Sequence, residues 1–304
     1  MNVLIVKLNA TGDVVRTTTL LHRFDGEVTW ITAAMNRELL DGLRPGLRCL
    51  TWDDRGAAND RRYDLVINLE DEQETAAFVR DIPHAQRFGA FLNGDGTVTY
   101  TDDSRKWFDL SLISVYGRRR ADELKLQNRR TYQDLIFEGL GFRFQGERYW
   151  LPRAVPTGLT GDVAIASVAG PVWPMKAWDY YDELKARLES EGLRVNVLPR
   201  RPTLLEHMGD IQSHRCLVGG DSLPMHLALA TNTPCVTLFS CTSPWEIYDY
   251  GLQTQIVSPL LERFFYQRGL DRAATSAITL ESVYDAVMVR LAAPATLRAP
   301  SVRT

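Results

Sequence analysis

Residues 3–8 are an apolar run interrupted by Lys7. The chain then passes through Asn9-Ala10-Thr11-Gly12-Asp13 into residues 14–24, where apolar side chains recur at helical spacing. This pattern predicts a strand, a glycine turn and a helix. Two more strands are predicted at residues 28–32, rich in β-formers, and at residues 63–69, which read as a core strand. The connections between them are expected to be helical, which makes a parallel sheet the economical arrangement. Residues 88–91 and 97–101 flank Asn93-Gly94-Asp95-Gly96, whose glycines and short polar side chains suit a hairpin turn decorating that sheet. Helices are predicted over residues 104–116, with Ser104 as cap, and over residues 128–139.

The alternation then breaks. Leu151-Pro152-Arg153-Ala154-Val155-Pro156-Thr157-Gly158 combines prolines with a glycine and reads as a linker, dividing the chain into domains of residues 1–152 and 153–304. Beyond it, strands predicted at residues 163–167, 194–198, 216–218 and 235–239 alternate with helices at 177–191, 203–212 and 224–231. The expected fold class is therefore α/β, with two Rossmann-like halves. Residues 279–291 read as an amphipathic helix, and the polar, proline-bearing tail over 292–304 is expected to lack order.

Composition changes this picture little. The chain has 304 residues, 45% hydrophobic and 24% charged, which suits two domains of ordinary globular make-up. No apolar run approaches the roughly eighteen residues a membrane-spanning helix requires, and the first residues do not resemble a secretion signal, so a cytoplasmic location is expected. The four cysteines, Cys49, Cys216, Cys235 and Cys241, are scattered without metal-ligand spacing, so no metal is expected. A net charge of -3 argues against nucleic-acid binding.

Three segments carry candidate chemistry, each at a strand's carboxyl end, where open parallel sheets bind ligands. In the first, Gly12-Asp13 presents a carboxylate at a helix start. It can accept the proton of an attacking hydroxyl, or it can simply complement the helix dipole. A dinucleotide-binding turn would need a G-x-G-x-x-G pattern, and Gly12 stands alone. In the second, running from Ala169 to Trp178, Gly170 allows close backbone approach and Lys176 offers a point charge suited to phosphate; a plain surface lysine beside core tryptophans is the alternative. The third is Gly219-Gly220-Asp221-Ser222-Leu223-Pro224-Met225-His226. Here Pro224 falls in the first helical turn and the amides of the helix start can hold a pyrophosphate. Asp221 is expected to bond backbone amides or a sugar hydroxyl, and His226 to sit in the core. Thr242, after the next strand, can donate to a phosphate oxygen.

In this order and spacing the three segments, together with the strand Tyr63-Asp64-Leu65-Val66-Ile67-Asn68-Leu69, resemble the bacterial ADP-heptose heptosyltransferases of lipopolysaccharide core synthesis. The likeness extends over nearly the whole chain. It implies a GT-B fold, two Rossmann-like domains with a central cleft, the first for the acceptor and the second for the nucleotide sugar. It also implies that the last helix can return to the N-terminal domain. The implied reaction is inverting and metal-independent: Asp13 is the catalytic base, and Gly12, Gly170, Lys176, Asp221, Ser222, Leu223, Pro224, Met225, His226 and Thr242 serve the donor. The implied co-substrates are ADP-heptose, with no other cofactor, and a hydroxyl-bearing acceptor. A lipid acceptor would bring the enzyme to a membrane surface.

Arg118 and Arg120, with Arg129 and Arg130, are candidates for an anionic acceptor such as phosphorylated core, although neighbouring Asp122, Glu123 and Asp134 suit a solvated charged face equally. The sequence departs from the family pattern at Leu223, where glycine is usual, at Ser243, where aspartate is frequent, and in a shortened stretch over residues 198–206. A glycosyltransferase acting on a protein or a small natural product, and a catalytically silent nucleotide-sugar-binding protein, remain as alternatives.

Overall fold

The computed structural model describes residues 1–110 and 115–293; the predicted helix over 104–116 and the predicted tail over 292–304 fall partly or mostly outside them. The chain divides into two compact units. The first is Met1–Pro152 with Trp245–Tyr248, and the second is Arg153–Pro244 with the chain from Asp249 onward. Trp245–Tyr248 is far from the rest of the first unit in sequence, yet the Tyr132 amide donates to the Glu246 carbonyl at 3.0 Å and the Tyr248 ring meets Phe144 edge-on.

The first unit is built on a six-stranded sheet. Its strands are β1 (Val3–Val6), β2 (Val28–Thr32), β3 (Leu47–Thr51), β4 (Tyr63–Asn68), β5 (His84–Leu92) and β6 (Val98–Tyr100), in the order β3-β2-β1-β4-β5-β6. All neighbours are parallel except β5 and β6, which form the hairpin. β1 lies between β2 and β4 with every residue fully buried, and Leu4, Val6, Ile31, Tyr63 and Val66 pack one core with Val79 and Ile82. Each such side chain contributes about 1.5–3 kcal/mol when fully buried. The expected helical connections are instead short 3-10 turns, Ala34–Leu39 and Arg55–Asp60, on either side of the unforeseen β3.

Helix α1 (Thr11–Thr17) begins earlier than the spacing predicts and tightens into a 3-10 stretch over Thr18–Arg23. The cause lies in three consecutive β-branched residues: the hydroxyls of Thr17, Thr18 and Thr19 donate to the carbonyls of Asp13, Val15 and Arg16, in competition with the regular ladder. Helix α2 (Gln73–Asp81) leads from β4 to β5. Helices α3 (Arg105–Phe108), α4 (Gly117–Gln127) and α5 (Tyr132–Gly139) follow the hairpin. Ser104 does not cap α3, since its hydroxyl donates to the Thr101 carbonyl, whereas Thr131 caps α5 by accepting from the Asp134 amide at 3.1 Å.

The second unit holds a fully parallel five-stranded sheet of β7 (Gly161–Ala166), β8 (Val195–Val197), β9 (His214–Gly220), β10 (Cys235–Phe239) and β11 (Gln253–Val257), ordered β11-β10-β9-β7-β8. Helices α6 (Tyr181–Ser190), α7 (Leu204–Gln212), α8 (Leu223–Ala230), α9 (Leu261–Phe264), α10 (Arg272–Thr275) and α11 (Leu280–Ala292) complete it. A reciprocal capping box between Thr203 and Glu206 opens α7. Helix α11 packs within the second unit. Val283, Val287 and Leu291 recur every fourth residue and are buried in one cluster with Val163, Val218, Val236 and Leu238, so this stripe is used up on the second unit's own sheet. Among the described residues no helix is long and apolar enough to cross a membrane.

Candidate active site

In both sheets the strand order reverses beside the first strand, between β1 and β4 in one unit and between β7 and β9 in the other. At such a reversal the following loops diverge and leave a crevice at the strands' carboxyl ends. Asp13 follows β1 at the first reversal, and the segments of Lys176 and Asp221 follow β7 and β9 at the second.

In the first unit, α1 starts right after β1 with Ala10 as its N-cap, so Gly12 lies in the first helical turn and not in a free loop. Asp13 is one residue further. Its carboxylate is 34% exposed and meets Arg16 at 2.9 Å, with the Lys7 ammonium at 4.0 Å. Lys7 and Arg16 are themselves buried and matched by further acids. Lys7 bonds Glu70 at 2.9 Å, Glu70 also accepts from the Leu8 and Asn9 amides, and Arg16 reaches Glu246 at 3.3 Å. The Arg16 guanidinium also stacks 3.9 Å from the centre of the Tyr132 ring, whose hydroxyl shares a 2.6 Å hydrogen bond with Thr17. Burial by itself disfavours the Arg16 charge, but Asp13 and Glu246 outweigh it and hold the guanidinium above its ordinary range. Burial, and then the charge of Asp13, pushes the Tyr132 phenol well up, so it stays a neutral hydroxyl. These groups line a cavity of about 230 Å³ together with Asp71, Trp107, Phe108 and Leu110.

In the second unit, the loop after β7 ends in a 3-10 turn, Pro174–Lys176, that lays Lys176 against the end of β9. Gly220 makes this approach possible, because a β-carbon there would stand 2.8 Å from the Lys176 carbonyl oxygen. A plain surface lysine was the alternative reading of Lys176. Its side chain is instead only 14% exposed, with the ammonium 3.0 Å from the buried Asp221 carboxylate and also bonded to the Asp221 carbonyl. An ammonium has three N–H donors, so one remains without an acceptor among the described residues. Thr242 differs from expectation as well: its hydroxyl is buried and donates to Asp221 at 2.8 Å, which makes it a support for the carboxylate. Burial pushes the Asp221 carboxyl up, but Lys176 and then His226, joined by the Thr242 and Lys176 hydrogen bonds, more than offset this and hold it below the usual carboxylate range.

Ser222 is the N-cap of α8 in extended backbone and makes no side-chain cap, and Pro224 occupies the first turn. Ser222, Leu223 and Pro224 are half-exposed at that helix start, whereas Met225 and His226 are buried. Gly170 is exposed, and a β-carbon there would meet nothing within 4 Å. Arg118 and Arg120 lie on α4, where they pair with Asp122 at 3.9 Å and Glu123 at 3.1 Å along the helix surface. Neither lines the Asp13 cavity. Sequence reasoning did not single out Lys7, Arg16, Glu70, Asp71 or Glu246. Arg16 is legible in retrospect, three residues after Asp13 on one helix. Glu246 reaches it across 230 positions of sequence and leaves no local signal. Among the described residues no group of three or more histidine, cysteine, aspartate or glutamate side chains is arranged to hold a metal.

With this geometry, residues 172–263 match the model of glycosyltransferase family 9 (heptosyltransferase), a span that contains Lys176, Asp221 and Thr242. No curated protein matches the chain in sequence. Among solved structures, E. coli heptosyltransferase WaaC with ADP is similar at 17% identity, over 95% of this chain and 100% of that one, with a TM-score of 0.62. E. coli ADP-heptose lps heptosyltransferase II is similar at 18% identity, over 96% and 98% of the two chains, with a TM-score of 0.61. The iron-containing dodecameric glycosyltransferase TibC of enterotoxigenic E. coli is similar at 16% identity, over 95% and 75%, with a TM-score of 0.56. The fold is thus that of the GT-B heptosyltransferases. Residues 172–263 are thus similar to the heptosyltransferase family in sequence, and the chain as a whole is similar to the heptosyltransferase structures in fold.

Proposed function

We propose that the chain is an inverting glycosyltransferase that moves a heptose from ADP-heptose to the hydroxyl of an acceptor. The observation that carries this reading is the family 9 match across the segment in which Lys176, Asp221 and Thr242 form one buried ionic cluster beside the start of α8. Asp221 and Thr242 fix the ammonium of Lys176, and its remaining donor, with the amides of the helix start, takes the charge of the diphosphate. The reading therefore gives a divalent metal no role. WaaC has been solved with ADP and with ADP-2-deoxy-2-fluoro heptose, which supports an adenine nucleotide sugar as donor here.

Asp13 is the general base. The acceptor hydroxyl attacks the anomeric carbon, its proton passes to the Asp13 carboxylate, and ADP leaves, so the configuration at that carbon inverts. Arg16 and Lys7 hold the carboxylate in place, and the neutral Tyr132 supports Arg16 from beneath. Gly12 and Ala10 set the helix start from which Asp13 projects.

A panel of nucleotide sugars tests the donor assignment. ADP-heptose is expected to raise the melting temperature by mass action, and Lys176→Ala is expected to remove that stabilisation. Equal stabilisation of wild type and Lys176→Ala, or none by any nucleotide sugar, overturns it. Donor binding without ADP release in the presence of any acceptor would leave a silent binding protein as the outcome.

A further inference from the structure

Resting on the reading of the Asp13 cavity as the seat of the acceptor, we propose that this acceptor is a hydroxyl compound bearing a protonated amine, and not a phosphorylated or carboxylated one. The cavity of about 230 Å³ is lined by four carboxylates, Asp13, Glu70, Asp71 and Glu246, against two cations, Lys7 and Arg16. Both cations are already committed to carboxylates: Lys7 bonds Glu70 at 2.9 Å, and Arg16 lies between Asp13 at 2.9 Å and Glu246 at 3.3 Å while stacking on Tyr132. A phosphate entering here would face the surplus negative charge of the four lining carboxylates. Recognition of an anion by this wall is thus disfavoured by the arrangement that holds Asp13.

Asp71 behaves differently from the other three acids. It follows Glu70 at the end of the segment leaving β4, is half-buried on the cavity wall, and pairs with no cation among the described residues. A protonated amine on the acceptor supplies that missing charge. Trp107, Phe108 and Leu110 also line the cavity and give it an apolar part, which suits the hydrocarbon face of a ring. Trp107 is almost fully buried, and its indole N–H has no acceptor among the described residues. The arginines that suggested an anionic acceptor lie elsewhere, paired with their own helix neighbours.

Binding of three small probes by ligand-observed NMR, with no donor present, tests this separately from catalysis. Glucosamine is expected to bind about tenfold more tightly than N-acetylglucosamine, as one added charge pair in a partly buried site allows, with glucose 6-phosphate the weakest. Asp71→Asn is expected to bring the first ratio close to one, and added salt to narrow it in wild type. Tighter binding of glucose 6-phosphate, a ratio unchanged in Asp71→Asn, or no binding of any probe overturns the proposal. ADP release that depends on Asp13 tests the underlying reaction by itself, so the two failures are distinguishable.

Discussion

Replacing Asp221 by asparagine removes one charge of a buried pair while nearly keeping its shape. The Lys176 ammonium lies 3.0 Å from the carboxylate and the two side chains are 14% and 11% exposed, so little water can take the place of the lost charge. Removing one partner of such a pair costs about 3–5 kcal/mol. Asparagine still accepts from Thr242, and the residue-221 carbonyl still accepts from Lys176, which favours the lower end, about 3 kcal/mol. For a unit of this size that is a fall of about 6–12 °C in melting temperature. The pH dependence has a definite sign. The folded Asp221 pKa is depressed, so its contribution is complete above the unfolded value of about 3.9 and is lost as pH falls through the folded value. Thermal unfolding followed by circular dichroism should therefore show the full gap between wild type and variant at pH 7, narrowing below about pH 4. The double variant Lys176→Met/Asp221→Asn should recover part of the loss, because no lone charge is left behind. Equal melting temperatures at pH 7, or a gap that stays constant into acid, refute the reasoning.

Three further outcomes follow from the same contacts. Gly220→Ala should destabilise the second unit by about 1–3 kcal/mol by denaturant unfolding, because its β-carbon meets the Lys176 carbonyl 2.8 Å away. Thr242→Val removes a buried donor from Asp221 and should cost about 1–3 kcal/mol; its donor affinity should fall with it, since the carboxylate that fixes Lys176 is loosened. Arg118→Ala and Arg120→Ala should each change stability by under about 0.5 kcal/mol and leave acceptor KM unchanged, because both arginines pair along an exposed helix face outside the cavity.

The fully buried strands were legible because their apolar runs have no exposed face to interrupt them: β1, β2 and β10 are buried at every residue. Two of the edge strands, β3 and β11, were not. Leu47-Arg48-Cys49-Leu50-Thr51 and Gln253-Thr254-Gln255-Ile256-Val257 bury only some of their residues, and their polar side chains read as loop. Helix α4 was hidden for a similar reason, since Gly117-Arg118-Arg119-Arg120 opens it with charge. Asp13, Lys176 and Asp221 could be singled out as candidates because each sits within two residues of a glycine or proline that marks a turn after a strand. Their partners could not be found, as Lys7 is disguised as part of an apolar strand and Glu246 arrives from another region of the chain. The Thr242 contact with Asp221 was not legible either, because a hydroxyl after one strand and a carboxylate after another carry no local signal of each other.

The assignment of Asp13 as base is the claim on which the chemistry turns, and ADP release by Asp13→Asn measures it most directly, with ADP-heptose affinity followed by calorimetry on the same sample. Release should fall by at least about a hundredfold while donor affinity is retained, because the donor contacts proposed above belong to the second unit. Turnover at the wild-type rate in Asp13→Asn contradicts the account.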